Sequence, residues 1–337
     1  MNALRPSFPT ERIAREIVAG PDDIVFVSGS LVEGFGNENS DLDLFLIRHE
    51  GEATPDPRLV LATVGVEGAY VDYEVYNQAN MARISGAINA TDVTDFRTVW
   101  ETSLDRIDLY YRTAVGEAAF NPEGLRLLQR QFDRKVAARL LQTWAGLRSV
   151  VKLQESRESF DAGRAQQSLI AAQAAAAYAC DSYLASQGEA YPNLKWRYEK
   201  IARRFGRDSR LYRRIWRLKS PGARGVPAYI DDVASFCDEM GMADYEAWGI
   251  DELLLSQPRE AKLFAIGGRS ILVQNKAMAF EMGAPAVQAW RALRRPLTRP
   301  QLVERMAKRW QVSAEEAAHE VDGLLQAWRR YRLVRES

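Results

Sequence analysis

Val27-Ser-Gly-Ser-Leu-Val-Glu-Gly-Phe-Gly-Asn-Glu-Asn-Ser-Asp-Leu-Asp-Leu44 is the stretch that decides the fold. Asp23 to Ser30 reads as a buried strand running into a glycine turn. A turn and short helix follow, loosened by Gly34 and Gly36. The next strand begins with Asp41 and Asp43. Alternate strand residues share a face and lie about 6.6–6.8 Å apart. Asp41 and Asp43 therefore face one way, and Leu42, Leu44 and Leu46 pack on the other.

Two carboxylates on one strand face beside a glycine turn suit a hard divalent cation. Mg²⁺ takes oxygen ligands and is usually held by one or two carboxylates plus substrate phosphates. At Gly29-Ser30 no side chain keeps a triphosphate from the backbone amides. Gly29, Ser30 and Ser40 are the candidate nucleotide-binding residues of the turn. A third carboxylate is expected from a neighbouring strand, and Val71-Asp-Tyr-Glu-Val-Tyr76 supplies it. Asp72 and Glu74 share one face. Asp72 is the first choice for the third metal ligand and Glu74 the second. The candidate catalytic set is Asp41, Asp43, Asp72 and Glu74, with Asp41, Asp43 and Asp72 as metal ligands. Two Mg²⁺ ions about 3.5–4 Å apart could clamp the attacking oxygen and the leaving phosphate.

Around this motif the rest of region 1–116 mixes helix and strand. Thr10–Ala19 reads as an amphipathic helix, Arg58–Val66 as a further strand and Phe96–Leu104 as a helix. Region 117–258 is helical. Glu123–Gln154 has apolar residues at spacing three and four, and the Ala-rich Ala165–Leu184 is a strong helix former. A turn at 188–193 precedes a basic helix from Lys195 to Arg204. Pro221–Pro227 reads as a loop, and Tyr229–Met240 closes the bundle. Glu155, Glu158 and Asp161 read as an exposed helix face, and no catalytic base is assigned.

Region 259–337 changes character. Leu263 to Val273 is two apolar runs around Gly267-Gly268, a hairpin signal. Lys276–Met282 adds a strand. Helices follow at Ala286–Leu293, Arg299–Trp310 and Ala314–Tyr331, with Thr298 and Ser313 as N-caps. Ser313 and Glu316 form a capping-box pattern.

Bulk properties narrow the rest. The 337 residues carry 45 basic and 45 acidic side chains, so total charge gives no push towards nucleic acid or membrane. The basic residues are nevertheless local, rich in 195–224 and 291–332. Cys180 and Cys237 lack metal-ligand spacing, which argues against a disulfide framework and a zinc site. His49 and His319 are the only histidines, so a histidine-cluster mechanism is nearly excluded. With no signal peptide pattern and no long apolar run, a cytoplasmic location is expected.

The order Gly-Ser, Asp-x-Asp, then an acidic residue on a later strand resembles the DNA polymerase β-like nucleotidyltransferase superfamily, over about 80 residues. The helical region is similar to that of its small-molecule branch, which includes kanamycin nucleotidyltransferase. Lys195-Trp196 is similar to a Lys-Trp of that branch, which places Lys195 on the donor phosphates. The spacing and apolar pattern of 259–337 are similar to the PqqD-like family, whose domains recognise leader peptides of ribosomally made, modified peptides.

The resemblance implies an α+β chain with a small mixed-sheet catalytic core (1–116), a helical bundle (117–258) and a C-terminal winged-helix-like domain (259–337). It implies transfer of a nucleoside monophosphate from a nucleoside triphosphate, with ATP the expected donor. The acceptor is a precursor peptide or a small molecule, and pyrophosphate is released. A homodimer is implied by analogy. For the C-terminal domain, a DNA-binding winged helix and a structural cap compete with leader recognition. Nucleic acid is the less expected partner, because Trp290, Trp310 and Trp328 sit at core-like positions. The alternative for the whole chain is a peptide-binding scaffold on a silent catalytic fold.

Overall fold

The computed structural model describes all residues except 1–9, 18–19, 38–39, 55, 67–68, 220–224, 246–254, 259, 275–277, 295, 332 and 337. The chain is α+β and divides into two compact units, Met1–Tyr245 and Glu246–Ser337.

In the first unit, α1 (Thr10–Ile17) precedes β1 (Ile24–Ser28) and β2 (Leu42–Arg48), which pair antiparallel with Val25 opposite Leu46 and Ser28 opposite Asp43. β3 (Val60–Val66) and β4 (Ala69–Asn77) form an antiparallel pair, and β4 lies parallel to β2. After α2 (Gln78–Asn89), α3 (Phe96–Glu101) and α4 (Leu104–Val115), β5 (Glu117–Phe120) returns to pair with β1. The sheet order is β3-β4-β2-β1-β5. The expected change of domain at residue 117 thus falls on the strand that completes the sheet.

The central strands are apolar on both faces, as buried strands must be. Leu42, Leu44 and Leu46 pack with Val25, Val71 and Ala14 of α1 on one face. On the other, Phe26 stacks on Phe45 with ring centroids 5.0 Å apart. Gly116 lets α4 end close against this stack, since a Cβ there would run into the Phe26 ring.

The helical part of the same unit comprises α5 (Pro122–Gln129), α6 (Arg134–Asp161), α7 (Ala165–Ser186), a 3₁₀ turn at Leu194–Trp196, α8 (Arg197–Phe205), α9 (Arg210–Arg217) and α10 (Gly225–Glu239). The stretch of helical spacing over 123–154 is two helices. The chain breaks at 130–133, where the Asp133 carboxylate caps α6 by accepting from the Lys135 amide. Ala171, Ala172, Ala175, Ala176 and Ala179 of α7 are buried, and such small residues let α6 approach closely. Ser149 and Ser156 of α6 donate to the Ala175 and Ser168 carbonyls across that contact. Of the expected loop 221–227, residues 221–224 lie outside the described residues. Gly225 to Pro227 are instead the first turn of α10, where a proline is tolerated because its missing N–H has no helical partner.

The second unit begins with β6 (Leu255–Ser256). The antiparallel sheet β7 (Ala261–Ile266), β8 (Arg269–Gln274) and β9 (Met278–Met282) follows. Gly267 and Gly268 have φ of 56° and 77°, as a two-residue hairpin turn with both central residues left-handed requires. The expected strand start at 276–277 lies outside the described residues. Three helices follow: α11 (Ala284–Ala292), α12 (Arg299–Trp310) and α13 (Ala314–Arg330). Thr298 and Ser313 cap the last two, each in a complete capping box. Trp290 and Trp328 meet edge to face at 5.5 Å in a core with Leu272, Leu302, Met306 and Val321. β10 (Arg335–Glu336) pairs with β6 and ties the end of the unit to its start.

Candidate active site

β1 ends at Ser28, and Gly29 turns the chain with φ 84°. This glycine is required twice over. L-residues with side chains rarely adopt that φ, and a Cβ there would occupy the Asp43 carboxylate. The turn closes through the Ser30 carbonyl, which accepts from the Phe35 and Gly36 amides at 2.9 Å. Ser30 itself is buried. Ser40 is committed to the turn, its Oγ accepting from the Asn37 amide at 2.9 Å.

Asp43 and Asp72 are register partners on the parallel strands β2 and β4. Paired residues of neighbouring strands point to the same face, so the two carboxylates stand side by side. Asp41, just before β2, adds its charge. Burial raises the Asp43 pKa; Arg112 opposes the rise, and the charges of Asp41 and Asp72 reinforce it. Asp72 accepts from the Thr63 hydroxyl at 2.6 Å. Glu74, on the same face one pleat repeat along β4, opposes Phe45 rather than a carboxylate. It is held by the Tyr76 hydroxyl and by Arg58 at 3.5 Å.

Two further residues of this site come from α4, which the sequence pattern left unassigned beyond Leu104. Arg112 Nη1 lies 3.1 Å from Asp43 Oδ1, and its Nε lies 2.7 Å from Asp108 Oδ2. Its guanidinium also sits 5.7 Å from the ring centroids of Phe45 and Tyr191. Ser28 Oγ donates to the Arg112 carbonyl at 3.1 Å, which ties α4 to the end of β1. Asp108 keeps its Oδ1 buried with no hydrogen-bond donor among the described residues. Burial pushes its pKa up to about 6, Arg112 opposes this, and Asp43 and Glu74 add to it. The signal for α4 was present: Ser103 is a cap, and Ile107, Tyr110 and Tyr111 repeat at helical spacing.

A wall from the helical part stands against the glycine turn. Phe35 stacks on Trp196 at 5.5 Å and on Tyr191 at 6.3 Å. Arg203 lies 4.2 Å over the Phe35 ring and pairs with Glu33 at 3.2 Å and with Glu189. Lys195 is exposed, with Nζ 5.2 Å from the ring centroid of Trp196. The aromatic stack therefore brings Lys195 to the neighbourhood of the Gly29-Ser30 turn while leaving its amine in solvent. Behind the wall, Asp181 forms a two-point ion pair with Arg197 and lies 3.7 Å from Lys200. Lys200 donates to the Tyr191 carbonyl at 2.9 Å and fixes that residue. A hollow of about 440 Å³ at α2 and α3, lined by Arg83, Thr98 and Arg106 among others, includes none of these residues.

Whether the carboxylate face suits a divalent cation is decided by its donors. Among the described residues no three ligands converge as the side chains stand. Asp43 is paired with Arg112, and Asp72 accepts from Thr63. The backbone nonetheless places oxygen donors side by side, and the site already demands positive charge. Arg112 supplies that charge, and Asp108 Oδ1 is a buried acceptor without a donor. The donor set, all oxygen, fits Mg²⁺.

Fold and site define an α+β chain with a carboxylate face in its first unit. Residues 270–334 in the second match the PqqD family, coenzyme PQQ synthesis protein D. That match runs from β8 to Val334, just before β10, and leaves the carboxylate face outside it. A nucleotidyltransferase-like protein from Exiguobacterium sibiricum 255-15 is a similar solved structure, at 15% identity. Its likeness covers 70% of this chain and 73% of that one with a TM-score of 0.41, too loose to speak for activity. No curated relative matches the chain. Among the described residues no helix is long and apolar enough to cross a membrane.

Proposed function

We propose that the first unit is a metal-dependent nucleotidyltransferase and that the second recognises a peptide. The observation that carries the first part is the side-by-side placement of Asp43 and Asp72 over a glycine that only the absence of a side chain permits. Asp41, Asp43 and Asp72 hold Mg²⁺, with Glu74 beside them towards Asp108. When bound, the cations stabilise negative charge on the transferring phosphoryl group. Gly29 and Ser30 receive the triphosphate along their backbone. Lys195 reaches the donor phosphates from the wall that Trp196 and Phe35 fix. Arg112 offsets part of the charge of Asp43 and Asp108 before substrate arrives.

An acceptor hydroxyl attacks the α-phosphorus of the nucleoside triphosphate, which we take to be ATP. A bond forms from the acceptor oxygen to phosphorus, the bond to the bridging oxygen breaks, and pyrophosphate leaves. The hydroxyl proton needs a base. Asp108 suits that role, with an unpartnered buried oxygen and a pKa pushed up to about 6, near working pH. The PqqD match supports a peptide partner for the second unit, so the acceptor is a ribosomally made precursor peptide, with a hydroxylated small molecule the other candidate.

The test is a thermal shift with ATP, GTP, CTP and UTP, each with and without Mg²⁺, followed by transfer of label from α-labelled nucleotide. One nucleotide is expected to stabilise the protein only with Mg²⁺, by mass action on the native state, and Asp43→Asn is expected to abolish both shift and transfer. Unchanged transfer in Asp43→Asn sinks the assignment. One observation favours a second reading, a peptide-binding scaffold with a silent site: Arg112 already supplies the positive charge that Asp43 and Asp108 need. Calorimetric titration with Mg²⁺ and ATP separates the two, because a silent site takes up neither.

A further inference from the structure

The chain's balanced charge is not balanced on its surface. From α8 to two residues past α9, residues 197–219 hold ten Lys and Arg against two Asp and Glu. Part of this is structural. Arg197 and Lys200 answer Asp181, Arg203 answers Glu33 and Glu189, Arg207 answers Glu199, and Arg210 and Arg214 answer Glu239. Among the described residues, Arg204, Arg213 and Arg217 have no carboxylate partner, and all three are exposed. Arg207, Tyr212, Arg213, Trp216 and Arg217 line an open hollow of about 510 Å³.

Aromatic rings stand among these cations. Trp216 is 57% exposed, although it is among the largest apolar side chains. Tyr212 lies parallel to it, 5° between planes and 6.5 Å between centroids, and Tyr198 meets it edge-on at 5.2 Å. Lys219 lies 4.9 Å over the Tyr198 ring. The buried side of α9 is Ile215, so Trp216 is not needed to seat the helix. A solvated charged face explains the arginines but not an indole held flat and open between them. A polyanion alone would use the arginines and ignore the ring. A partner with phosphates at the spacing of a backbone and free planar bases uses both.

We infer that the α8–α9 surface binds single-stranded nucleic acid, with a base stacked on Trp216 and phosphates on Arg213 and Arg217. A duplex hides its bases, and an acidic peptide has none. This surface goes beyond the catalytic proposal and stands whether or not the carboxylate face is active.

The test is fluorescence anisotropy of the full chain with a labelled single-stranded RNA of about 16 nucleotides, the upper end of single-site sizes, across a salt series. Binding is expected to weaken linearly in log salt. Arg213→Ala with Arg217→Ala is expected to reduce that slope by about 1.4, from 0.7 per phosphate contact on a single strand. Trp216→Ala is expected to weaken binding about 5- to 150-fold, the range of one lost stack, and Trp216→Phe to restore most of it. Circular dichroism of each variant separates lost binding from lost fold. Absence of binding at low salt overturns the inference. So does equal competition by the matching duplex or by polyglutamate with Trp216→Ala unaffected, which would assign the face to anions in general.

Discussion

Replacing Arg112 by alanine tests the electrostatic argument at its centre. The guanidinium lies between two carboxylates, 3.1 Å from Asp43 and 2.7 Å along its Nε edge from Asp108. Removing one partner of a buried pair costs about 3–5 kcal/mol, because a buried charge is left uncompensated. Here the side chains of Asp43 and Asp108 keep 21% and 27% of their exposure, so water screens part of the loss. A cost of about 2–3 kcal/mol at pH 8 is expected on those grounds. The cost must depend on pH. Arg112 lowers both carboxyl pKa values against the rise caused by burial. Without it both rise further, and protonation at lower pH relieves the repulsion between them. The gap between Arg112→Ala and the parent, read by urea denaturation, is therefore expected to shrink from pH 8 to pH 5. Mg²⁺ enters the same argument. If the carboxylates hold a divalent cation, millimolar Mg²⁺ stabilises Arg112→Ala more than the parent, where the cation competes with a resident guanidinium. An Arg112→Ala protein as stable as the parent at pH 8, with no response to Mg²⁺, would refute the reasoning.

Gly29→Ala forces a side chain into φ 84° and into the Asp43 carboxylate, so a loss of about 1–3 kcal/mol in urea denaturation and loss of Mg²⁺-dependent nucleotide binding are expected. Asp108 has a folded pKa of about 6 against 3.8 when exposed, so its contribution to stability is present below about pH 4 and is lost as pH rises through 6. The change is about 3 kcal/mol by linkage, and Asp108→Asn is expected to flatten the stability profile between pH 4 and 7. Lys195→Ala is expected to raise the KM for nucleotide about tenfold or more with kcat little changed, the size of a charge-assisted contact made in both ground and transition states. In the second unit, Leu272→Ala is expected to cost about 2–5 kcal/mol, read as lost hydrogen-exchange protection in β7 to β9, because Leu272 is wholly buried at the centre of that sheet.

What the sequence made legible was local. A continuous apolar run marked β1, and period-two alternation in β2 and β4 put Asp41 and Asp43 on one side of their strand and Asp72 and Glu74 on one side of theirs. The Gly267-Gly268 turn and the Thr298 and Ser313 caps were readable because turn and cap chemistry is written in neighbouring residues. Which of Asp72 and Glu74 stands opposite Asp43 was not readable, since it depends on strand register. Only the parallel pairing of β2 and β4 opposes Asp72 to Asp43 and Glu74 to Phe45. Asp108 and Arg112 lay further out of reach. The helix that bears them could have been inferred from Ser103 and the spacing of Ile107, Tyr110 and Tyr111. Its position over the sheet is set by Gly116 against Phe26 and by Ser28 against the Arg112 carbonyl, contacts that no local pattern records.

The same limit bounds what total charge can say about partners. A net charge of zero constrains the sum over the surface and not its distribution. The nearby acidic side chains Asp181, Glu33 and Glu189 are turned inward on ion pairs with Arg197 and Arg203 of α8, beside Tyr191 and the aromatic wall. Those pairs consume the cations on the inner face of α8, so the outer cations of α8 and α9 are left facing solvent. The pairs that shape the aromatic wall engage the inner cations of α8 and leave Arg204, Arg213 and Arg217 without a carboxylate partner among the described residues.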